Sequence, residues 1–314
     1  MLQEIAITPG AFDSSSYSST DTCDAHFEGL KQALLEWTII RGLRDGGWKE
    51  AVWGLSGSMS PRAREILKKL HIQNRVFGHV RCLANPPASD SDWCLEAIES
   101  CKRLPLHGIL TSESTKSAFA KDPLVASVAK RYSALWWNQL EDGHPGGHQS
   151  GRTLADYRSR LHLIFRHARS LIFLDPHLDP TRPGYAQFLD LIDEALTRAH
   201  TPPIIEIHRC CTEGSGREKR IVPNGEWEKR FRSKWSAHPS ARQIEVFIWS
   251  KNHDRHLISD LIGIHIGNGF DLSNDGQDRI SWSRISRKNR DEVQRTVDPA
   301  VNPNLLMHRF KIQT

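Results

Sequence analysis

The residues with the most chemical content lie close together near residue 260. In the stretch 249–275, WSKNHDRHLISDLIGIHIGNGFDLSND, His253 and Arg255 stand two apart. Asp260 follows after four further residues, and Gly267-Asn268 after six more. Residues two apart on a strand project to the same face. An imidazole beside a fixed cation suits attack on a phosphodiester, because the cation offsets charge on the non-bridging oxygens. Asp254 points to the opposite face, so its charge need not repel a phosphate. Asn268 sits at a Gly-rich turn and can donate to a phosphate oxygen, while Gly267 and Gly269 let the backbone come close.

This set resembles the motif of the phospholipase D superfamily, H-x-K-x4-D-x6-G-[S/T/G]-x-N, at every spacing. Two features depart from it: Arg255 replaces Lys, and Asn268 and Phe270 stand where the motif has Ser and Asn. Arg presents a planar fork and Lys a compact point charge, so the exchange bears on catalysis more than on fold. The stretch 171–180, LIFLDPHLDP, is similar to the strand end that often precedes the motif in that superfamily, which brings in Asp175. His253-Asp254-Arg255 with Gly267-Asn268-Gly269-Phe270-Asp271 also resembles the phospholipase-D-like C-terminal domain of MIT-domain proteins, regarded as a non-catalytic lipid- and partner-binding version of the fold. The resemblance covers residues 153–298.

The resemblance implies a metal-independent phosphodiesterase. His253 would be the nucleophile of a phosphohistidine intermediate, with Arg255, Asp260 and Asn268 completing the catalytic set. A second His would protonate the leaving oxygen. Gly267, Gly269 and Asp175 would line the substrate site. No cofactor and no metal ion is called for. Single-motif relatives occur as nucleases in prokaryotic anti-phage defence systems, which suggests nucleic acid as substrate and a homodimer or larger defence complex as the assembly. The alternative is a catalytically inactive phospholipase-D-like module that binds nucleic acid, phospholipid headgroups or a partner protein. Lipid hydrolysis is a weaker third reading, since there is no amphipathic anchor.

These residues need a scaffold. Residues 141–152, EDGHPGGHQSGR, hold four Gly and one Pro and cannot sustain a helix or strand. They split the chain into an N-terminal lobe, 1–142, and a C-terminal lobe, 151–314. In the C-terminal lobe, helices at 153–167, 185–199 and 225–235 alternate with apolar strands at 171–174, 204–207 and 244–248, and short strands at 255–259 and 263–266 flank a turn. This alternation indicates an α/β fold, a mixed sheet covered by helices on both faces. In the N-terminal lobe we expect strands at 3–8, 75–80 and 106–111, and helices at 24–44, 61–70, 92–101 and 125–140. Two lobes of similar length raise the expectation of a worn internal duplication, with His107 in a degenerate first half-site.

Residues 217–234 hold seven Lys or Arg, with Trp227, Phe231 and Trp235 at four-residue steps. The aromatics read as the core face of a helix. The charges, among them Lys229 and Arg230, are candidates for tracking a phosphate backbone. His144 and His148 have metal-ligand spacing but lie in the Gly/Pro stretch with no Cys or acid pair nearby, which argues against a metal site. The net charge of +5 suits a polyanionic partner without proving one. Six cysteines without a CxxC pair fit reduced thiols. No apolar run approaches the ~20 residues of a membrane span, and the N-terminus does not read as a signal peptide. A cytoplasmic protein is expected.

Overall fold

The computed structural model describes residues 1–141, 148–198, 201–214, 216–236, 244–251 and 254–312. The chain divides into two compact units, Leu2–Gly143 and His144–Thr314, with Met1 assigned to the second.

The N-terminal unit runs β1 (Gln3–Ile7), α1 (Thr20–Gln32), β2 (Thr38–Gly42), α2 (Gly47–Gly54), α3 (Pro61–Ile72), β3 (Val76–Gly78), α4 (Asp90–Arg103), β4 (Gly108–Thr111), α5 (Glu113–Ala118), β5 (Val125–Ser127) and α6 (Leu135–Glu141). Its five strands are all parallel and ordered β3-β2-β1-β4-β5. The helix expected over 24–44 is two elements. Ser19 caps α1 by accepting the amide of Thr22. The chain then leaves the helix through a π turn, Ala33–Trp37, and enters β2. The β-branched run Thr38-Ile39-Ile40 favours a strand, and all five β2 residues are buried. Arg41, fully buried there, is neutralised by Glu4 at 2.7 Å. The helix expected over 125–140 likewise splits: Val125 and Ala126 pair with Ile109 and Leu110 of β4, Arg131–Ser133 form a 3-10 turn, and the α-helix is confined to Leu135–Glu141.

The C-terminal unit runs β6 (His148–Gly151), α7 (Leu154–His167), β7 (Ser170–Leu174), α8 (Phe188–Thr197), β8 (Ile204–Cys210), β9 (Thr212–Glu213), β10 (Arg220–Ile221), α9 (Asn224–Trp235), β11 (Ile244–Trp249), β12 (His256–Ser259), β13 (Gly263–Ile266), β14 (Arg279–Ile285), α10 (Arg287–Thr296) and β15 (Leu306–Lys311). Among the described residues, eight strands form a mixed sheet in the order β15-β11-β8-β7-β12-β13-β14-β6. The three central strands β7, β8 and β11 are parallel and the others pair antiparallel. Parallel strands are covered on both faces and need continuous apolar runs, which Leu171-Ile172-Phe173-Leu174 supplies. On one face Phe173 meets Phe188 of α8, which stacks on Trp235 of α9. On the other, Ile172, Leu174, Phe247, Trp249 and Ile258 pack with Val293 of α10 and with Val297.

The two sheets share neither strand order nor strand direction, so the units are not two copies of one fold. The expectation of a duplication is corrected on this point. β4, the strand after His107, is an inner strand of an all-parallel sheet, whereas β12 lies antiparallel between β7 and β13. His107 accepts the amide of Glu4 at its Nδ1, a strand-edge contact. Residues 148–151, read from the sequence as part of a break that sustains no strand, instead pair with β14 as β6, and sequence periodicity gave no sign of β14, α10 or β15. In β14 only Ile280 and Trp282 are buried, and six of the ten residues of α10 are charged and none is buried.

Candidate functional site

The site is built where β7 ends. Asp175 follows Leu174, its amide donating to the carbonyl of His208, and Pro176 prevents the strand from continuing. The Asp175 side chain is wholly buried. Its Oδ1 accepts the amide of His177 at 2.9 Å, an Asx-type turn. Its Oδ2 accepts the Tyr185 hydroxyl at 3.0 Å and the amide of Phe270 at 2.9 Å. One carboxylate thus ties together the β7 turn, the segment before α8 and the turn after β13. Burial pushes its pKa up, and the hydrogen bonds and the nearby Arg255 oppose the shift. It also pushes the Tyr185 hydroxyl up, helped by the Asp175 charge.

The second wall is the β12–β13 hairpin. Backbone pairing begins one residue before β12, since Ile266 donates to the carbonyl of Arg255. Arg255 Nη1 donates to the carbonyl of Gly267 at 2.8 Å, which fixes the guanidinium against the turn. Gly269 adopts φ +66°, and a Cβ there would lie 2.2 Å from Asp175 Oδ2. Glycine is therefore required twice over, by backbone conformation and by contact with the buried carboxylate. The Tyr157 hydroxyl accepts no such strain and simply braces the turn by donating to the Gly269 carbonyl at 2.6 Å.

Between these walls lies an open cleft of about 400 Å³ lined by His177, Arg182, Gly184, Tyr185, Arg255, Asn268 and Asp271. Arg182 and Arg255 are cationic. Asp271 is already paired with Arg152 at 3.1 Å. The surplus is positive, and the size is within the range of small-molecule sites. His177 is exposed at the cleft. Its pKa is lowered, first by partial burial, with Arg255, Arg209 and Arg182 adding to the effect and Asp175 opposing it. The arrangement offers two guanidinium groups, an amide and an imidazole to one bound anion.

The residues singled out from sequence fall into several places. Arg255 and Asn268 line the cleft. His253 lies outside the described residues. Asp175 forms the buried support under the cleft, not its rim, because three donors hold its carboxylate inside. Asp260 is at the opposite end of β12. It accepts the amide of Arg169 at 2.9 Å and pairs with that side chain at 3.4 Å, anchoring the start of β7. Gly267 and Gly269 shape the turn, their carbonyls accepting Arg255 and Tyr157. Arg230 is not free for a phosphate. It is held by Asp179 at 2.9 Å, Glu213 at 2.6 Å and Glu226 at 3.2 Å, and lies over the Trp227 ring. Lys229 is exposed on α9 and does not line the cleft. Trp227, Phe231 and Trp235 are core, as their spacing indicates.

Sequence reasoning passed over His177, Arg182 and Tyr185. The available signal was an Asp-Pro-His turn at the end of an apolar strand, two polar residues on a loop, where such folds gather ligand contacts. Among the described residues, no group of three or more His, Cys, Asp or Glu could hold a metal ion. No described helix is long and apolar enough to cross a membrane.

No family model matches the chain, and no curated protein matches it. Among solved structures, the chain is similar to TrmBL2, described as an archaeal chromatin protein with a novel mode of DNA binding. The identity is 12%, over 78% of this chain and 85% of that one, with a TM-score of 0.28. A score that low establishes no common fold.

Proposed function

We propose that the C-terminal unit is a phospholipase-D-type phosphodiesterase that cleaves nucleic acid without a metal ion. The observation that carries this reading is the cationic cleft in which Arg255, Asn268, Arg182 and His177 meet above the buried Asp175. Arg255 and Arg182 would hold the non-bridging oxygens and Asn268 would donate to a third position. The His253 imidazole, two residues before Arg255, would attack phosphorus and form the phosphohistidine. The test measures cleavage of single-stranded DNA, duplex DNA and RNA, with and without excess EDTA, for wild type, His253→Ala and Arg255→Lys. Wild-type turnover that survives EDTA, is lost by several orders of magnitude in His253→Ala and persists in Arg255→Lys supports the reading. Turnover that vanishes with chelator, or none on any substrate, overturns it.

One observation favours a second reading, a binding module without catalysis. Arg255 spends Nη1 on the Gly267 carbonyl, so part of its fork holds the turn. In that case wild type and His253→Ala bind phosphate-bearing ligands equally without turnover. Arg255→Lys then weakens binding, because a fork becomes a point charge.

A further inference from the structure

A second cavity lies at the opposite end of β7 from the cleft. It opens where β7 and β8 begin and α10 ends, and it holds about 260 Å³. Its floor is apolar, with Leu171 and Ile172 from β7 and Val297 and Pro299 from the turn after α10. Ile204 also lines it and stays 68% exposed, so an apolar side chain is left with one flank uncovered. Glu206, Gln294 and Asp298 are among its polar groups, and no Lys or Arg among the described residues lines it.

Glu206 carries a charge that the fold orients without neutralising. Trp249 Nε1 can only donate, and it donates to His208 Nδ1 at 3.0 Å. The His208 proton is therefore on Nε2, which donates to Glu206 Oε2 at 3.1 Å. His208 is wholly buried, and burial lowers its pKa against the opposing pull of Glu206 and Glu245. A neutral ring thus aims the carboxylate and leaves its charge intact. The residue directly opposite Glu206 on β11 is another acid, Glu245, and like charges so placed destabilise a sheet. Arg309, the cation near both, gives its guanidinium to the two oxygens of Glu245. Among the described residues, Glu206 Oε1 has no hydrogen-bond partner and Asp298 has no ion pair.

We propose that this pocket binds an aliphatic ammonium ion, with its charge toward Glu206 and Asp298 and its methylenes over Ile172, Ile204 and Val297. Such a ligand offsets the repulsion between Glu206 and Glu245 and covers the open flank of Ile204. A hard metal ion is a poor fit, since it takes six or more oxygen ligands and much of the lining is apolar. The volume is just under the usual range of ligand pockets, about 300–1,000 Å³, which suits a short chain. The inference is independent of the reading of the cleft.

The experiment titrates the full chain by calorimetry with n-propylamine, n-pentylamine, pentan-1-ol and Nα-acetyl-lysine methylamide. Wild type is compared with Glu206→Gln and Ile204→Ser, and thermal melts check that both variants fold. Glutamine keeps an acceptor for His208 and removes only the charge. We expect n-pentylamine to bind and pentan-1-ol to bind at least about tenfold more weakly. Each methylene removed should raise Kd by up to about fourfold. Glu206→Gln should weaken amine binding about tenfold, and Ile204→Ser should flatten the dependence on chain length while keeping the preference for charge. Binding of the acetyl-lysine amide as tightly as n-pentylamine makes a lysine side chain of a partner the source of the ligand. Failure of that probe beside binding of n-pentylamine makes a free small amine the source. No amine binding by wild type, equal affinity for the alcohol, no dependence on chain length, or unchanged affinity in Glu206→Gln overturns the proposal.

Discussion

Each unit of the chain gathers a turn around one carboxylate at the ends of its parallel strands, and the two carboxylates are used differently. In the N-terminal unit Asp90, first residue of α4, accepts the amide of Gly10 at 2.6 Å and the hydroxyls of Thr8, Thr111, Ser112 and Thr115 at 2.8–3.3 Å. A Cβ on Gly10 would sit 2.5 Å from its Cγ. In the C-terminal unit Asp175 is approached just as closely by Gly269. There the parallel ends. Asp90 is surrounded by small hydroxyl donors, and no ion pair of Asp90 is found among the described residues. Asp175 is buried beneath a cleft lined by His177, by Arg255, which gives Nη1 to the Gly267 carbonyl, and by Arg182, which stands 3.9 Å from Asp179. A carboxylate that organises loops becomes part of a site when it positions other groups and is not itself the feature presented.

The comparison can be broken most directly at the two acids. Asp175→Ala removes the acceptor of the Phe270 amide and the Tyr185 hydroxyl, both buried, and of the His177 amide, which is partly buried. Orphaned donors cost about 1–3 kcal/mol each, so urea unfolding should show a loss of about 3–5 kcal/mol. Asp90→Ala should cost about 1–3 kcal/mol, because Thr8 and Thr111 already bond each other at 3.0 Å and Asp90 is only half-buried. It should leave phosphodiester cleavage unchanged. Equal losses, or activity lost in Asp90→Ala, would show that the two acids play the same part.

Next in size is Arg255→Ala. Removing a preorganised charge from a site of this kind typically lowers turnover about 10²–10³-fold, read as kcat on an oligonucleotide. The glycines come third. Gly269→Ala adds strain from φ +66° to a contact with a fixed carboxylate, an expected loss of about 2–3 kcal/mol. Gly10→Ala meets a carboxylate that can shift toward solvent, and should cost about 1 kcal/mol. Paired denaturant titrations read the difference.

The smallest effect is in pH. The Asp175 pKa is raised in the folded protein by burial, so the folded state binds this proton more readily than the unfolded chain. Its contribution is fully present below the unfolded value, about 3.9, and is lost as pH rises through the raised folded value. Wild-type stability relative to Asp175→Asn should therefore fall across that window as pH increases. A flat difference curve would mean that the carboxylate is not desolvated.

Much of the C-terminal unit can be read along the chain. Thr153 and Asp156 form the capping box that starts α7, and Leu171–Leu174 is apolar throughout because both faces of β7 are covered. The spacing of Arg255, Gly267 and Asn268 folds back on itself as a hairpin, so these residues share one wall by local geometry alone. Less was legible where two tendencies compete within one segment. The apolar stripe of 24–44 fits a helix until the β-branched run at 38–40, and only pairing of β2 with β1 and β3 decides in favour of a strand.

Sequence by itself determined most of the alternation of helices and strands and the hairpin that carries Arg255 and Asn268. These depend on propensity and on spacings of a few residues. Tertiary structure decided which neighbours each strand takes, that Asp175 lies under the cleft, that Asp260 serves the far end of β12, that Arg230 is consumed by three acids, and that His177 faces Arg255. The physical reason is distance along the chain. Asp175 owes its place to the amide of Phe270, 95 residues away, and burial of a charge is settled only when such remote donors arrive together.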